Sequence, residues 1–296
     1  MNWLVIQSDG EHKGQDGWCP NWMFRECHAI ACALRRLGCR VDIWGLRHDN
    51  FHEKPDLRSY DHVLVAENYD FSWLPDLTAA KQVLFWMIDG HIEPAGRYAP
   101  ILRQSHVVLH ATRRLIPACE AAYPAARHIY FPNGVDDRFF DADLFPGVTA
   151  TTPLIFIGGC VGERKVAVDW MTQRTGLKFS YGVTGMDYVK AVLAAKMQFN
   201  TPVNGDINYR TWETIGLGRC LLTRFDPELE ALGFRHEVNC LLYRSLDEAA
   251  VLARQYLDSG EWAFLGAAGH QLAKRHSYTA RMHTLTHQLG ISPRGY

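Results

Sequence analysis

The stretch NYRTWETIGLGRCLLTRFDPELEALGFRHEVNCLLY, at residues 208–243, tells more about the fold than any other part of this 296-residue chain. Its apolar spacing predicts a helix over residues 208–217, a glycine-containing turn, and a buried strand over residues 219–223. An acidic loop follows, and the short apolar run Leu241–Tyr243 predicts a second strand. This mixture of a helix and buried strands points to an α/β protein.

The rest of the chain repeats the alternation of strands and helices. Short apolar runs predict strands at residues 3–7, 40–44, 62–66, 83–87, 106–110, 128–131, 153–157, 178–181 and 197–200. Amphipathic spacing predicts helices at residues 21–37, 112–123, 163–175, 186–194, 246–257, 262–276 and 279–289. Such alternation predicts mostly parallel sheets that are covered on both faces.

A segment rich in turn signals divides this pattern into two halves. Residues 131–153 read FPNGVDDRFFDADLFPGVTATTP and show no sustained period, which predicts an interdomain linker. We therefore predict a Rossmann-like domain over residues 1–135 and a second one over residues 136–278. Ligands bind beyond the carboxyl ends of parallel strands, so the two sheets are expected to face one another across a cleft.

The composition argues against several classes of protein. A net charge of −1 provides no overall attraction to nucleic acid or to a membrane surface. No apolar run approaches the ~20 residues that span a bilayer, and the N-terminus lacks the features of a signal peptide. The eight cysteines are scattered without a CxxC pair, which is typical of reduced thiols. We therefore expect a cytoplasmic protein without a transmembrane segment, and the oligomeric state stays open.

A glycine-rich loop follows the strand predicted at residues 153–157. Its three glycines, which include Gly158 and Gly159, would let the backbone approach a phosphate, and the N-terminus of the next predicted helix favours anions. Arg164 and Lys165 add positive charge within reach. The loop matches neither GxxxxGK[ST] nor GxGxxG. It is therefore a candidate phosphate site, and the alternative is a flexible loop with a solvated basic pair.

The helix predicted at residues 208–217 carries a carboxylate, Glu213, three residues after Arg210. The two side chains lie on nearly the same helix face. A carboxylate can accept hydrogen bonds from both vicinal hydroxyls of a ribose, which makes Glu213 a candidate nucleotide ligand. The alternative is a surface ion pair, which contributes under ~1 kcal/mol.

Several motifs in a fixed order resemble a known family. RTWETIGLGRCLLT at residues 210–223, HEVNCLLYRSLDEA at 236–249 and AAGHQLAKRHSYTAR at 267–281 are similar to the C-terminal domain of CgeB-like glycosyltransferases of the group 1 type. The phrase PNGVD at 132–136, followed by Phe139, is similar to the hinge of the same superfamily. The resemblance implies the GT-B architecture of two Rossmann-like domains, with sugar transfer from a nucleotide-diphosphate donor to a hydroxyl group.

The resemblance also implies roles for single residues of the second half. Glu213 matches the acid that binds the ribose of the donor, and Arg210 matches the arginine of the same element. Arg164 and Lys165 lie where related enzymes bind the diphosphate, and Tyr243 lies near the donor base.

The closing motif, which contains His276, Tyr278 and Arg281, is implied to be structural. In this interpretation the C-terminal helix over residues 279–296 packs back across the domains, toward the N-terminal domain.

The expected co-substrate is a nucleotide-diphosphate sugar, with a UDP-sugar favoured, and no other cofactor is expected. HExxH, CxxC pairs and carboxylate clusters with ligand spacing are missing, and the resemblance implies transfer without a metal. One position departs from the family pattern. Retaining relatives carry a second acid eight residues before the ribose-binding one, and that position here is Gly205. The contact to the donor sugar and the choice between inversion and retention therefore stay open.

The first half is expected to bind the acceptor and to supply any general base, which must reach the acceptor hydroxyl. Asp89 and His91 follow a strongly apolar strand beside a glycine and are the first choice, with Asp16 second. Glu67 and Asp70 follow another strand. The alternative for each is a loop side chain that caps a turn, and a retaining enzyme could act without a protein base.

The acceptor stays open among a glycan, a lipid-linked sugar, a protein, a small molecule and a modified base in DNA. A second class is a non-catalytic nucleotide-sugar binding protein, which Gly205 would fit. A Rossmann-type dehydrogenase would carry GxGxxG after its first strand, and neither half does.

Overall fold

The computed structural model describes residues 1–8, 25–68, 70–89, 96–141, 147–203 and 205–291. The chain divides into two compact units. The first consists of Met1–Asn133 together with Tyr278–Tyr296, and the second consists of Gly134–Ser277. No helix in these ranges combines the length and the hydropathy that crossing a bilayer requires.

The first unit is built on a parallel sheet. Its described strands are β1 (Asn2–Ile6), β2 (Arg40–Trp44), β3 (His62–Ala66), β4 (Val83–Met87), β5 (Val107–His110) and β6 (Arg127–Tyr130). They lie in the order β2-β1-β3-β4-β5-β6 and pair in parallel. The helices between them are α1 (Glu26–Arg36), α2 (Ala99–Leu102) and α3 (Ile116–Ala122). The five residues of β4 are all buried, as expected of a central parallel strand with both faces covered.

Gln7 ties the carboxyl end of β1 to its neighbours. Its side-chain Nε2 donates to the carbonyl of Glu67 at 3.2 Å, and its Oε1 accepts from the amide of Cys27 at 3.0 Å. Gly45, just after β2, must be a glycine because a Cβ there would lie 2.1 Å from the carbonyl oxygen of Gln7. The ends of β1, β2 and β3 are therefore joined at one edge of the sheet.

The second unit repeats the architecture with a smaller parallel sheet. Its described strands are β7 (Thr152–Ile157), β8 (Lys178–Ser180), β9 (Ala195–Asn200), β10 (Cys220–Arg224) and β11 (Leu241–Tyr243). They lie in the order β11-β10-β9-β7-β8. The helices are α4 (Gly162–Thr175), α5 (Gly185–Leu193), α6 (Tyr209–Gly216), α7 (Pro227–Ala231), α8 (Leu246–Ser259) and α9 (Trp262–Lys274). The two-sheet α/β class predicted from the sequence is confirmed.

The last helix, α10 (Tyr278–Gln288), belongs to the first unit and packs against α1. Arg281 donates from Nε to the carbonyl of Asn133 at 3.1 Å, and the ring of Tyr278 meets Trp86 edge-on at 5.9 Å. His276 stays in the second unit, where it contacts the carbonyl of Leu232. Each of these three residues of the closing motif therefore makes a packing or hydrogen-bond contact within its own unit.

Two local features differ from the sequence prediction. The acidic loop contains α7, which begins at Pro227 behind the N-cap Asp226, whose carboxylate accepts from the amide of Glu228. Part of the predicted linker is packed, because a Cβ on Gly216 would lie 2.5 Å from Val135 and 3.3 Å from Phe139. A five-residue helix is too short to show helical periodicity in the sequence, and single buried apolar residues such as Val135 and Phe139 show no period at all.

Candidate active site

Asn200 organises the carboxyl edge of the second sheet. This buried residue ends β9, and its Nδ2 donates to Thr211 Oγ1 at 3.0 Å and to Thr223 Oγ1 at 3.2 Å. Its Oδ1 accepts from Asn208 Nδ2 at 3.1 Å and from Arg210 Nη1 at 2.8 Å. A single buried amide therefore fixes the start of α6 against the ends of β9 and β10.

Arg210 reaches from α6 to the end of β7. Its Nε and Nη2 donate to the carbonyl of Ile157 at 3.0 and 2.6 Å, and the guanidinium lies 4.2 Å from the ring centroid of Phe156. A Cβ on Gly158 would lie 2.3 Å from Nη2. Gly158 therefore makes room for an arginine, and the sequence prediction that it makes room for a phosphate stays untested.

Gly159 differs from its neighbour. A Cβ there would meet no described heavy atom within 4 Å. The position is therefore open, and the phosphate role predicted for Gly159 stays a prediction.

Glu213 is held by a tyrosine of α5. The hydroxyl of Tyr188 donates to Glu213 Oε2 at 2.7 Å, and Gln198 Nε2 lies 3.4 Å from the same hydroxyl oxygen. Gln198 is itself fixed by the hydroxyl of Thr214, which donates to its Oε1 at 2.6 Å. Glu213 is half-buried as a residue, and the hydrogen bond from Tyr188 orients its carboxylate.

Arg164 and Lys165 diverge although they are adjacent in α4. Arg164 Nε donates to the carbonyl of Thr201 at 3.2 Å, which places its side chain over the end of β9. Lys165 is exposed and pairs with Asp169 one turn further along the helix. Successive residues of a helix point about 100° apart, so only Arg164 faces the carboxyl ends of the strands.

Two adjacent cavities open at this edge of the second unit. One has a volume of about 260 Å³ and is lined by Arg164, Thr201 and Tyr243 among others. The hydroxyl of Tyr243 donates to the carbonyl of Asn200 at 3.0 Å, which fixes the ring in the cavity wall. Ligands of open parallel sheets bind at this edge.

The second cavity has a volume of about 320 Å³ and contains the position that departs from the family pattern. Gly205 lines it together with the neighbouring carboxylate Asp206 and with Thr211. Glu163, Pro202 and Arg224 line both cavities. Nothing in the sequence marks Asp206 or Arg224 as functional, because a loop acid and a strand-end arginine are common without any function.

In the first unit, Glu67 collects donors at the carboxyl end of β3. Its Oε2 accepts from the amides of Ile88 and Asp89 at 2.6 and 2.7 Å. Its Oε1 accepts from Arg97 Nη2 at 3.0 Å and from the hydroxyl of Tyr98. Burial raises the pKa of Glu67 to about 7, against the lowering effect of these hydrogen bonds. Glu67 therefore positions the backbone that carries Asp89.

The other predicted base candidates differ in what can be said of them. Asp70 is exposed and accepts from the amide and the hydroxyl of Ser72, which makes it a turn cap. His91 and Asp16 lie outside the described residues. Asp89 is the predicted catalytic candidate that the structure describes, at the end of β4.

The second unit matches a known family. Residues 150–287, just under half of the chain, match the sequence model of the family described as glycosyl transferase-like. The chain is a glycosyltransferase. The sequence-based resemblance is confirmed at this level, while the CgeB-like subgroup stays a prediction. No curated protein matches the sequence of this glycosyltransferase.

Solved structures share its fold over nearly the whole chain. HepE of Anabaena, solved with UDP-glucose, is 12% identical with a TM-score of 0.64 over 98% of this chain and 99% of that one. A glycosyltransferase of Rickettsia africae is 10% identical with a TM-score of 0.63 over 99% of each chain. Sucrose-phosphate synthase of Thermosynechococcus elongatus is 13% identical with a TM-score of 0.59 over 98% and 99%. The predicted GT-B fold is confirmed.

Proposed function

We propose that this glycosyltransferase transfers a sugar from a UDP-sugar to a hydroxyl group of an acceptor and that it needs no metal ion. The observation that carries the proposal is the cavity walled by Arg164 and Tyr243, at the carboxyl ends of the strands of the glycosyltransferase-like unit. HepE, which shares the fold, was solved with UDP and glucose and with UDP-glucose.

In this proposal the diphosphate of the donor binds at the start of α4. That helix begins at Gly162, and its N-cap Val161 provides no side-chain acceptor for the first amides. Amides at a helix N-terminus attract anions, and the guanidinium of Arg164 adds a full positive charge beside them. Together they would stabilise the negative charge that develops on the leaving diphosphate. Lys165, paired with Asp169, would contribute less than its position in the sequence implies.

The nucleoside would be held by two further residues. Glu213, whose Oε2 accepts from the hydroxyl of Tyr188, would also accept hydrogen bonds from the ribose hydroxyls. Tyr243 would lie beside the base, since its ring forms part of the wall of the cavity that Arg164 also lines.

Asp206 is the candidate for the contact to the donor sugar. It follows Gly205, which occupies the position of the acid in retaining relatives, and both residues line the cavity of about 320 Å³. A carboxylate one residue further along could bind sugar hydroxyls in its place.

Asp89 is the described candidate for a general base in the first unit. It would take the proton of the acceptor hydroxyl in an inverting transfer. His91 and Asp16 remain alternatives for this role.

The experiment is a transfer assay of the purified chain with a panel of UDP- and GDP-sugars, with and without EDTA, in which released nucleoside diphosphate is measured. We expect release from one UDP-sugar, unchanged by EDTA. Release only from a GDP-sugar, or loss of release in EDTA, would contradict the donor or the metal independence, respectively.

A second candidate function is binding of a nucleotide sugar without transfer, which the glycine at position 205 favours. UDP-sugar binding in calorimetry with no nucleotide release under any acceptor would support this candidate over the transferase.

A further inference from the structure

Three side chains with metal-binding atoms meet in the first unit, and the proposed transfer uses none of them. His110 ends β5, Cys119 lies in α3, and His128 lies in β6. One nitrogen or sulfur atom from each lies within 4.8 Å of the other two. The sequence spacing is His-x8-Cys-x8-His, which matches no standard zinc motif, so the cluster exists only through the β-α-β packing.

The two histidines already face each other at close range. His110 Nε2 lies 2.9 Å from His128 Nδ1, and the ring centroids are 5.2 Å apart. Zinc–nitrogen bonds of about 2.0–2.1 Å in a tetrahedral site put two nitrogen ligands about 3.3 Å apart. A cation in place of the shared proton would therefore need the rings to separate by only a few tenths of an ångström.

A hydrogen bond on the far side of His128 sets its tautomer. His128 Nε2 lies 3.0 Å from the carbonyl oxygen of Tyr123, and a carbonyl can only accept. Nε2 therefore carries the proton, and Nδ1 presents its lone pair toward His110 and Cys119. Metal-binding histidines in proteins are oriented in this way by a backbone carbonyl or a carboxylate.

One ring nitrogen of this cluster has no hydrogen-bond partner among the described residues. That nitrogen is Nδ1 of His110, a fully buried residue. Nδ1 can therefore receive the proton of Nε2 when a cation binds on the side that faces His128.

We propose that His110, Cys119 and His128 bind one divalent cation of the zinc type, with water as the fourth ligand. Two imidazoles and one thiolate are a donor set that suits Zn²⁺ and Co²⁺ and does not suit Mg²⁺ or Ca²⁺. Half-buried His128 leaves a side from which water can enter. The cation would join β5, α3 and β6 and have no part in sugar transfer.

Binding must release the thiol proton. Cys119 is fully buried, and a cysteine binds a metal ion as the thiolate. The metal–sulfur bond forms as this proton leaves to solvent, and the proton on His110 Nε2 moves to Nδ1, so that the imidazole binds in its neutral form. One proton is therefore released for each cation bound, and affinity rises with pH.

The test uses the full-length chain after removal of metal and titrates it with Co²⁺. We expect saturation at one equivalent with a thiolate-to-cobalt charge-transfer band, and loss of the band when Zn²⁺ is added. Cys119→Ser is expected to abolish the band, whereas Cys39→Ser, which changes another buried cysteine of the same unit, is expected to retain it. A wild-type chain without the band, or a band that persists in Cys119→Ser, overturns the proposal.

A second measurement needs no variant and covers the case in which Cys119→Ser does not fold. X-ray absorption of the wild-type chain loaded with one equivalent of Zn²⁺ is expected to show one sulfur at about 2.3 Å and nitrogen at about 2.0–2.1 Å. A coordination shell without sulfur overturns the proposal. Donor transfer is expected to be unchanged by removal of the metal at a temperature where the chain stays folded.

Discussion

The guanidinium of Arg210 occupies the space that a side chain on Gly158 would need. The ideal Cβ position lies 2.3 Å from Arg210 Nη2, and Gly158 has a φ of +136°, which residues with a side chain rarely adopt. Arg210 in turn donates twice to the carbonyl of Ile157, directly before this glycine. The end of β7 and the start of α6 therefore depend on each other.

Gly158→Ala is expected to destabilise the chain and to weaken donor binding. The methyl group would displace Arg210 and strain the backbone, at a cost of about 1–3 kcal/mol in the free energy of unfolding. Thermal unfolding and UDP binding by calorimetry measure the two effects.

Gly159→Ala is the matched control, because its Cβ would meet no described atom within 4 Å. Its melting temperature is expected to stay near that of the wild type. Equal losses of stability in both variants would show that the loop as a whole, and not Arg210, sets the requirement for glycine.

Glu213→Ala is expected to weaken UDP binding by roughly 10–100-fold while the fold stays intact. A hydrogen bond to a charged group contributes about 1.5–3 kcal/mol, and a ribose would lose its acceptor. Tyr188→Phe removes the bond that orients Glu213 but keeps the carboxylate, so a smaller loss is expected. Calorimetry with UDP ranks the two variants. Wild-type affinity in Glu213→Ala would leave Glu213 with a structural role, such as its hydrogen bond with Tyr188.

Arg164→Ala and Lys165→Ala separate two residues that the sequence assigned to the same role. Arg164 lines a cavity, whereas Lys165 is exposed and paired with Asp169. We expect Arg164→Ala to weaken UDP binding at least ~10-fold and Lys165→Ala to change it by less than ~2-fold. Comparing the affinity of each variant for UDP with its affinity for uridine shows whether the loss comes from the diphosphate. An equal loss in both variants would contradict the structural distinction.

The sequence predicted the strands well because most of them are short apolar runs. Arg40–Trp44, His62–Ala66, Val83–Met87 and Leu241–Tyr243 have the bounds expected from the sequence. Parallel strands with both faces covered need such runs, so composition and structure agree there.

The side-chain partners could not be predicted in the same way. Tyr188 meets Glu213, and Gly158 meets Arg210, across elements far apart in the chain. Only the packing of helices onto the sheet brings them together. The divergence of Arg164 from Lys165 follows from which face of α4 packs on the core, and the weak amphipathicity of that helix hides this face in the sequence.

Asp89→Asn is expected to lower turnover by about 10²–10⁴-fold with UDP affinity unchanged, since it removes the proposed base. The backbone amide of residue 89 still donates to Glu67, so the local fold is expected to persist. Asp70→Asn, at an exposed turn cap after the neighbouring strand, is the control and should keep wild-type turnover. The measurement is the steady-state rate of each variant with the sugar donor that supports transfer. Unaltered turnover in Asp89→Asn would move the role to His91 or Asp16.

The buried carboxyl of Glu67 is expected to make stability fall as pH rises from about 4.5 to about 7. Burial raises its pKa in the folded chain to about 7 from an ordinary value of 4.5. Over this window the folded state holds a proton that the unfolded state has lost, so its stabilising contribution is complete below pH 4.5 and disappears as pH passes 7. Glu67→Gln removes the titrating group. As pH rises from 5 to 7, the melting temperature of the wild type should therefore fall relative to that of Glu67→Gln. A constant difference between the two melting temperatures would mean that the four donors around Glu67 keep it ionised throughout.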